Sequence, residues 1–186
     1  AVLPICGDHV TNDIAIGLRT SLEIAENVKI TLGHAVPDAV DRKGTFTLKD
    51  FGGQEEEPYK VRFVSEIIEA RTEELFEAID NELRKIDRSG MLPVGVILAG
   101  GGTKLPGITE VAKQVLRLPV SVGAPIGISS VIDEIHDPGF ATCVGLAVWG
   151  FGIKSARKGG FKMKLSFKGL EQVTNQMKKW LKSIVP

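Results

Sequence analysis

An α/β fold is predicted by three stretches of the sequence. Val94 to Ala99 is a short apolar run rich in β-branched residues, as expected of a strand buried on both faces. Gly100, Gly101 and Gly102 follow at once, and over residues 107–117 the apolar residues Ile108, Val111, Ala112 and Val115 recur at helical spacing. Strand, glycine turn and helix in that order belong to a layered α/β domain. Two further helical patterns precede them, separated from them by residues of different character.

Three consecutive glycines let the backbone pass close to a flat or anionic group, because no Cβ stands in the way. The helix behind them offers unpaired N–H groups. One reading is a nucleotide-contacting turn; the other is a tight strand-to-helix connection. Two standard phosphate motifs are excluded. A dinucleotide fingerprint needs Gly or Ala three residues after Gly102, where Leu105 stands, and a P-loop needs Ser or Thr after Lys104, where Leu105 stands again.

Taken in order, Ala1 to Ile5 reads as the end of a strand, and Gly7 as a turn before a helix carrying Val10, Ile14, Ile16 and Leu18. Thr20 or Ser21 caps a second helix with Leu22, Ala25, Val28 and Leu32 on its apolar stripe and Gly33 at its end. On that helix Glu26 and Lys29 are three residues apart and share a face. Spacing alone favours a weak exposed ion pair. The functional alternative is an acid that accepts ribose hydroxyls beside a lysine lying along a nucleotide. Residues 36–91 read as a small inserted lobe, with strands at Thr45–Leu48 and Tyr59–Val64 and a long helix to Asp87. Ile67, Ile68, Arg71, Leu75, Ile79, Leu83 and Ile86 are expected on its inner face, and Glu66, Glu69, Glu73, Glu77, Asp80 and Glu82 on its outer face. After the glycine turn and its helix come a strand at Val120–Val122 and a helix from Pro138 to Trp149. In the latter, Ala141, Cys143, Gly145 and Ala147 suit tight packing.

The formal charge of the 186 residues is zero, but the zero hides a split. Residues 152–186 hold nine basic residues and one acid, a charge of +8; the remainder hold 14 basic and 22 acidic residues, a charge of −8. Such a chain is an acidic body with a basic tail that seeks an anionic surface. Residues 152–164 read as a basic linker. In residues 165–186, Phe167, Leu170, Val173, Met177, Trp180, Leu181 and Ile184 recur at steps of three and four, with Lys178, Lys179 and Lys182 around them. That is the composition of an amphipathic helix lying in a membrane surface. Large apolar side chains contribute roughly 1.5–3 kcal/mol each at full burial, and each lysine near an anionic leaflet about 1 kcal/mol. Cys6 and Cys143 are expected to be buried, reduced thiols, and the three histidines form no metal-ligand pattern. With no initiator Met, the chain is expected to be an internal or C-terminal piece of a longer one.

Several of these segments together resemble the actin-like bacterial cell-division family FtsA. They are Leu3 to Ala15 with its Gly7-Asp8-His9-Val10-Thr11-Asn12-Asp13 string, Leu18 to Lys29, Gly95 to Gly107, Ala141 to Leu146, and the tail ending Lys179-Trp180-Leu181. The resemblance implies half of an actin-like (ribonuclease H-like) ATPase. Its second large subdomain would comprise residues 1–35 and 92–151, with the small α+β lobe inserted and the amphipathic helix last. It implies a nucleotide site at Gly100, Gly101 and Gly102 with Lys104 nearby, at Glu26 and Lys29 on the nucleoside, and at Gly7 near the phosphates. ATP, with Mg in the full-length protein, would be the cofactor, and Cys6 stands where relatives usually have glycine.

The resemblance further implies a scaffold without catalytic residues or a resident metal site, peripheral on the cytoplasmic face of the inner membrane at the division site. Its implied partners are FtsZ, anionic lipids, further copies of itself in filaments, and later division proteins, but not nucleic acid. Because ATP in this fold sits between two halves, very weak or no ATP binding is expected of the 186 residues. The alternatives are a sugar- or acetate-kinase-like phosphotransferase and an actin-like type IV pilus assembly protein; neither has a use for the basic amphipathic terminus.

Overall fold

The computed structural model describes residues 1–126 and 133–158. The chain divides into two compact units, residues 1–147 and 148–186. The expected membrane helix, residues 165–186, lies outside the described residues.

Two short helices open the chain. Residues Gly7–Leu18 form α1 and Leu22–Leu32 form α2. Arg19, in the left-handed region at φ 54°, ends α1, and Ser21 starts α2 by accepting a hydrogen bond from the Ile24 N–H. Residues 1–5 form no strand. Cys6 precedes α1 at φ −151°, extended backbone open to any residue, so the cysteine meets no conformational demand for glycine.

In the region expected to be inserted, β1 (Thr45–Thr47) pairs antiparallel with β2 (Pro58–Lys60), and α3 (Val61–Lys85) begins at once. The second expected strand is therefore short: Val61 to Val64 is the first turn of α3. The buried face of α3 also differs from the expected one. Val64, Ser65, Ile68, Thr72, Phe76 and Asp80 are buried, while Ile86 is exposed. Asp80, expected outside, is 3% exposed. It accepts hydrogen bonds from Ser89 Oγ (2.5 Å) and Arg84 Nε (2.9 Å), and Arg117 Nη2 lies 3.4 Å away. A buried carboxylate satisfied by two arginines and a hydroxyl is tolerated where an isolated one is not. The hydroxyl of Thr72 bonds back to the Ile68 carbonyl at 2.9 Å. These local partners turn polar side chains inward, and a pattern of apolar spacing does not register them.

Next, β3 (Val96–Leu98) pairs in parallel with β4 (Val120–Val122) across α4 (Ile108–Leu116), in the register Val96 with Val120 and Leu98 with Val122. Burial on both faces is not observed: Ile97 is 65% exposed, because the sheet has two strands and one uncovered face. One core joins α1, α2, residues 36–91 and α4, through Ile14, Leu18, Val28, Leu48, Ile68, Phe76 and Leu116.

Finally, α5 runs from Ala141 to Lys158, beyond the expected end at Trp149 and into the expected linker. The glycines there are too few to stop a helix, each costing about 1 kcal/mol relative to alanine. Cys143, Gly145 and Ala147 are exposed, and nothing stands within 4 Å of where a Gly145 Cβ would be, so the tight packing expected of them is not seen. Neither cysteine is buried: Cys6 precedes α1 and Cys143 lies on the open side of α5.

Gly95 sets the approach of β3 to β4. Its φ is +81°, and a Cβ there would stand 2.1 Å from the Pro119 carbonyl oxygen, next to the Val96 N–H that donates to that same oxygen at 2.8 Å. Gly95→Ala is expected to destabilise the chain by about 2 kcal/mol or more, read as a lowered midpoint in urea unfolding; an unchanged midpoint contradicts this.

Candidate functional site

The Glu26–Lys29 pair sits against α1. Lys29 Nζ lies 2.6 Å from Glu26 Oε2, 2.7 Å from Thr11 Oγ1 and 3.3 Å from the Gly7 carbonyl oxygen. The Thr11 hydroxyl, itself buried, contacts both Glu26 Oε2 and the Gly7 carbonyl. One helical turn of α1 puts Gly7 and Thr11 on the face that meets α2, and the three-residue step on α2 aims Glu26 and Lys29 back at it. The Lys29 side chain is 15% exposed and that of Glu26 41%. This is more than a weak surface pair. Burial pushes the Glu26 carboxyl up, but hydrogen bonds from Lys29 and Thr11 and the lysine's charge bring it below the ordinary carboxylate range. The stability it contributes is therefore present above that range and is lost as pH falls through the lowered value.

Gly7 is the first residue of α1, and its carbonyl takes part in this cluster. A Cβ on it would come no closer than 4.0 Å to Lys29 Nζ, so nothing in the fold demands glycine there.

The glycine turn is the second half of the candidate site. Gly100 has φ 107°, a conformation that side chains rarely adopt, and its N–H donates to the Pro138 carbonyl at 3.0 Å. A short 3-10 turn over Gly101–Lys104 follows. Nothing stands within 4 Å of where a Cβ would be on Gly100, Gly101 or Gly102. The backbone there is bare, and a flat ring can lie against it. Lys104, expected near the turn, is there, but its ammonium is 2.7 Å from the Asp137 carboxylate. Asp137 in turn accepts from the Gly139 N–H at 2.7 Å. The Lys104 hydrogen bond holds the Asp137 carboxyl below the ordinary range, helped by that N–H.

Among the described residues, no hydrogen bond or ion pair joins the glycine turn directly to the Glu26–Lys29 pair. They are linked through the segment that follows α2: the Ala35 N–H donates to the Pro106 carbonyl at 2.7 Å, and His34 packs over Gly107. Two residues of this site escaped the reading of the sequence. Thr11 enters there only as a member of the Gly7 to Asp13 string, with no role; its signal was its place one turn after Gly7. Asp137 had a signal in Asp137-Pro138, a common helix-entry pair.

The fit to a nucleotide is selective. Glu26 Oε1 has no protein partner among the described residues, so the carboxylate can accept hydroxyls of a sugar. The open glycine backbone suits a planar base. No group of three or more His, Cys, Asp or Glu able to hold a metal occurs among the described residues.

A separate open groove of about 370 Å³ lies between α1 and α3, lined by Ile16, Phe63 and Ile67 with the charged groups Asp13, Arg71 and Glu74 beside them. There Arg71 forks onto Asp13 (Nε to Oδ2 2.5 Å, Nη2 to Oδ1 3.0 Å) and reaches Glu74 at 2.5 Å.

Compared with known proteins, residues 1–145 match the model of the family described as Cell division protein FtsA. The chain belongs to the FtsA family. It is 39% identical over 166 residues to the Cell division protein FtsA of Bacillus subtilis, covering 87% of this chain and 36% of that protein. To the protein of the same description from Pseudomonas aeruginosa it is 34% identical over 150 residues, 81% of this chain and again 36% of that protein. The chain thus spans about a third of the length of these relatives. Among solved structures it is similar to MreB 5 of Spiroplasma citri bound to AMPPNP, with a TM-score of 0.62 at 16% identity, over 86% of this chain and 47% of that one. This likeness shows the actin-like fold. Family and fold agree with the resemblance read from the FtsA-like segments, and the family match, not the shared actin-like fold, separates the chain from the phosphotransferase and pilus alternatives.

Asp137 is expected to pin the FtsA-family glycine turn. Asp137→Ala should speed amide hydrogen exchange at Gly100 about tenfold, the equivalent of about 1.4 kcal/mol; unchanged exchange contradicts this.

Proposed function

We propose that this chain forms the nucleotide-facing and membrane-facing parts of a division scaffold. In this reading the complete protein binds ATP, with Mg, turns it over slowly or not at all, and assembles with further copies of itself into filaments. It tethers FtsZ to the cytoplasmic face of the inner membrane and recruits later division proteins. The family match supports the setting in cell division, and the AMPPNP carried by the MreB relative supports the nucleotide.

The observation that carries the tethering role is the charge split: +8 on residues 152–186, beside apolar residues at helical steps, against −8 on the rest. No helix among the described residues is long and apolar enough to cross a membrane, and a surface helix needs no such span. On anionic liposomes the intact chain should float. Removing residues 165–186, or changing Trp180→Glu, should abolish flotation while the body stays folded. Flotation that survives both changes contradicts the tethering role.

FtsZ binding is assigned to the groove between α1 and α3. An aromatic side chain in a partly apolar depression is a typical anchor of binding energy, and Phe63 supplies it. Phe63→Ala should weaken FtsZ binding at least about tenfold, or about 1.4 kcal/mol, in a surface-plasmon assay. Unchanged affinity places FtsZ elsewhere.

A further inference from the structure

We propose that Thr11 is the positioning residue of the nucleoside end of this site, directing Lys29 to the protein and leaving one Glu26 oxygen, Oε1, to face the ligand. The proposal rests on the nucleotide reading above and deepens it.

An ammonium has three N–H donors. Lys29 has three acceptors within reach: Glu26 Oε2 at 2.6 Å, Thr11 Oγ1 at 2.7 Å and the Gly7 carbonyl at 3.3 Å. With all three satisfied inside the protein and the side chain only 15% exposed, Lys29 has no donor left for a nucleotide. The direct nucleoside contact that the family resemblance implies for Lys29 therefore falls to Glu26 alone.

Thr11 makes this arrangement possible. Its hydroxyl accepts from Lys29 and has one proton to give. Two acceptors compete for that proton, the Gly7 carbonyl at 3.2 Å and Glu26 Oε2, which lies closer. A charged acceptor forms the stronger bond, so the proton goes to the carboxylate. Thr11 and Lys29 thus converge on the same oxygen. Glu26 is held in one rotamer, and Oε1 is left without a protein partner among the described residues. Holding an acceptor in place before the ligand arrives removes an ordering cost from binding. The ligand class is a sugar with vicinal hydroxyls, as in a ribonucleoside.

The test is carbon-detected NMR titration of the Glu26 carboxyl in the 186-residue chain, without nucleotide. In the unaltered protein it should titrate below the ordinary carboxylate range. In Thr11→Val, with the hydroxyl gone and burial kept, the midpoint should move up; in Thr11→Ser it should return toward the unaltered value. A midpoint that Thr11→Val leaves in place overturns the positioning role. Should Thr11→Val fail to fold, the Lys29 Nζ resonance of the unaltered chain decides: three internal bonds should slow its exchange until it is visible at neutral pH. Exchange as fast as that of exposed Lys49 overturns the proposal. Adenosine at millimolar concentration, added to the full-length protein, should then move the Glu26 carboxyl resonance and leave Lys29 Nζ unmoved. A shift of Lys29 Nζ overturns the proposal, whereas no shift of either overturns the nucleotide reading beneath it and leaves the Thr11 contrast to decide positioning by itself.

Discussion

The burial of one face of α3 is the constraint on which the rest of the first unit depends. Val64, Ile68 and Phe76 lie in the shared core, with Ser65, Thr72 and Asp80 buried beside them. From that single helix the structure reaches both of its neighbours. Arg71 forks onto Asp13 of α1, and Asp80 accepts from Ser89 and faces Arg117, the residue that ends α4. Burying a Phe or Ile side chain contributes roughly 1.5–3 kcal/mol. Two polar ties give this otherwise non-directional packing a register: Asp80 is buried and must meet its partners to avoid an unpaired buried charge, and the half-buried Arg71–Asp13 fork fixes the geometry by its paired hydrogen bonds.

That register is what sets the site. The helix α1 carries Gly7 and Thr11, and its position against α3 fixes where α2 must lie to bury Ala25 and Val28. Once α2 is seated, Glu26 and Lys29 meet the Thr11 hydroxyl. On the other side, α4 follows the glycine turn and is held by the same helix. The link from Ala35 to Pro106 closes the circuit between the two halves of the candidate site. The groove between α1 and α3 is the outward face of the same contact, so the nucleotide and FtsZ surfaces proposed for this chain share one support.

Much of this was legible in the residues. The helices α1, α2 and α4 follow from apolar spacing, Ser21 from its cap chemistry, and β3 and β4 from short β-branched runs. The glycine turn was legible as a turn, and its φ of 107° at Gly100 explains why only glycine serves there. Period alone misread α3, because Asp80 and Thr72 point inward: Asp80 has partners in Ser89 and Arg117 that no helical spacing reveals, and Thr72 bonds back to the Ile68 carbonyl of its own helix. It also misread β3, since an apolar run states what a strand prefers to touch and not how many strands flank it. In the site, Glu26 and Lys29 were visible as a pair three apart, but not Thr11 between them. A residue on a different helix becomes a partner only after two helices have packed. Lys104 was found for its place in the turn, and its engagement with Asp137, 33 positions away, is likewise a product of packing.

The central claim is that two separate pieces, the glycine turn and the α1–α2 cluster, form one nucleotide face. The most direct measurement is amide chemical-shift mapping of these residues within the full-length protein, titrated with ATP. Shifts at Gly100, Gly101 and Gly102 together with shifts at Gly7, Glu26 and their neighbours are the expected result. Shifts confined to the groove around Phe63 and Arg71, or at one of the two pieces without the other, would contradict it.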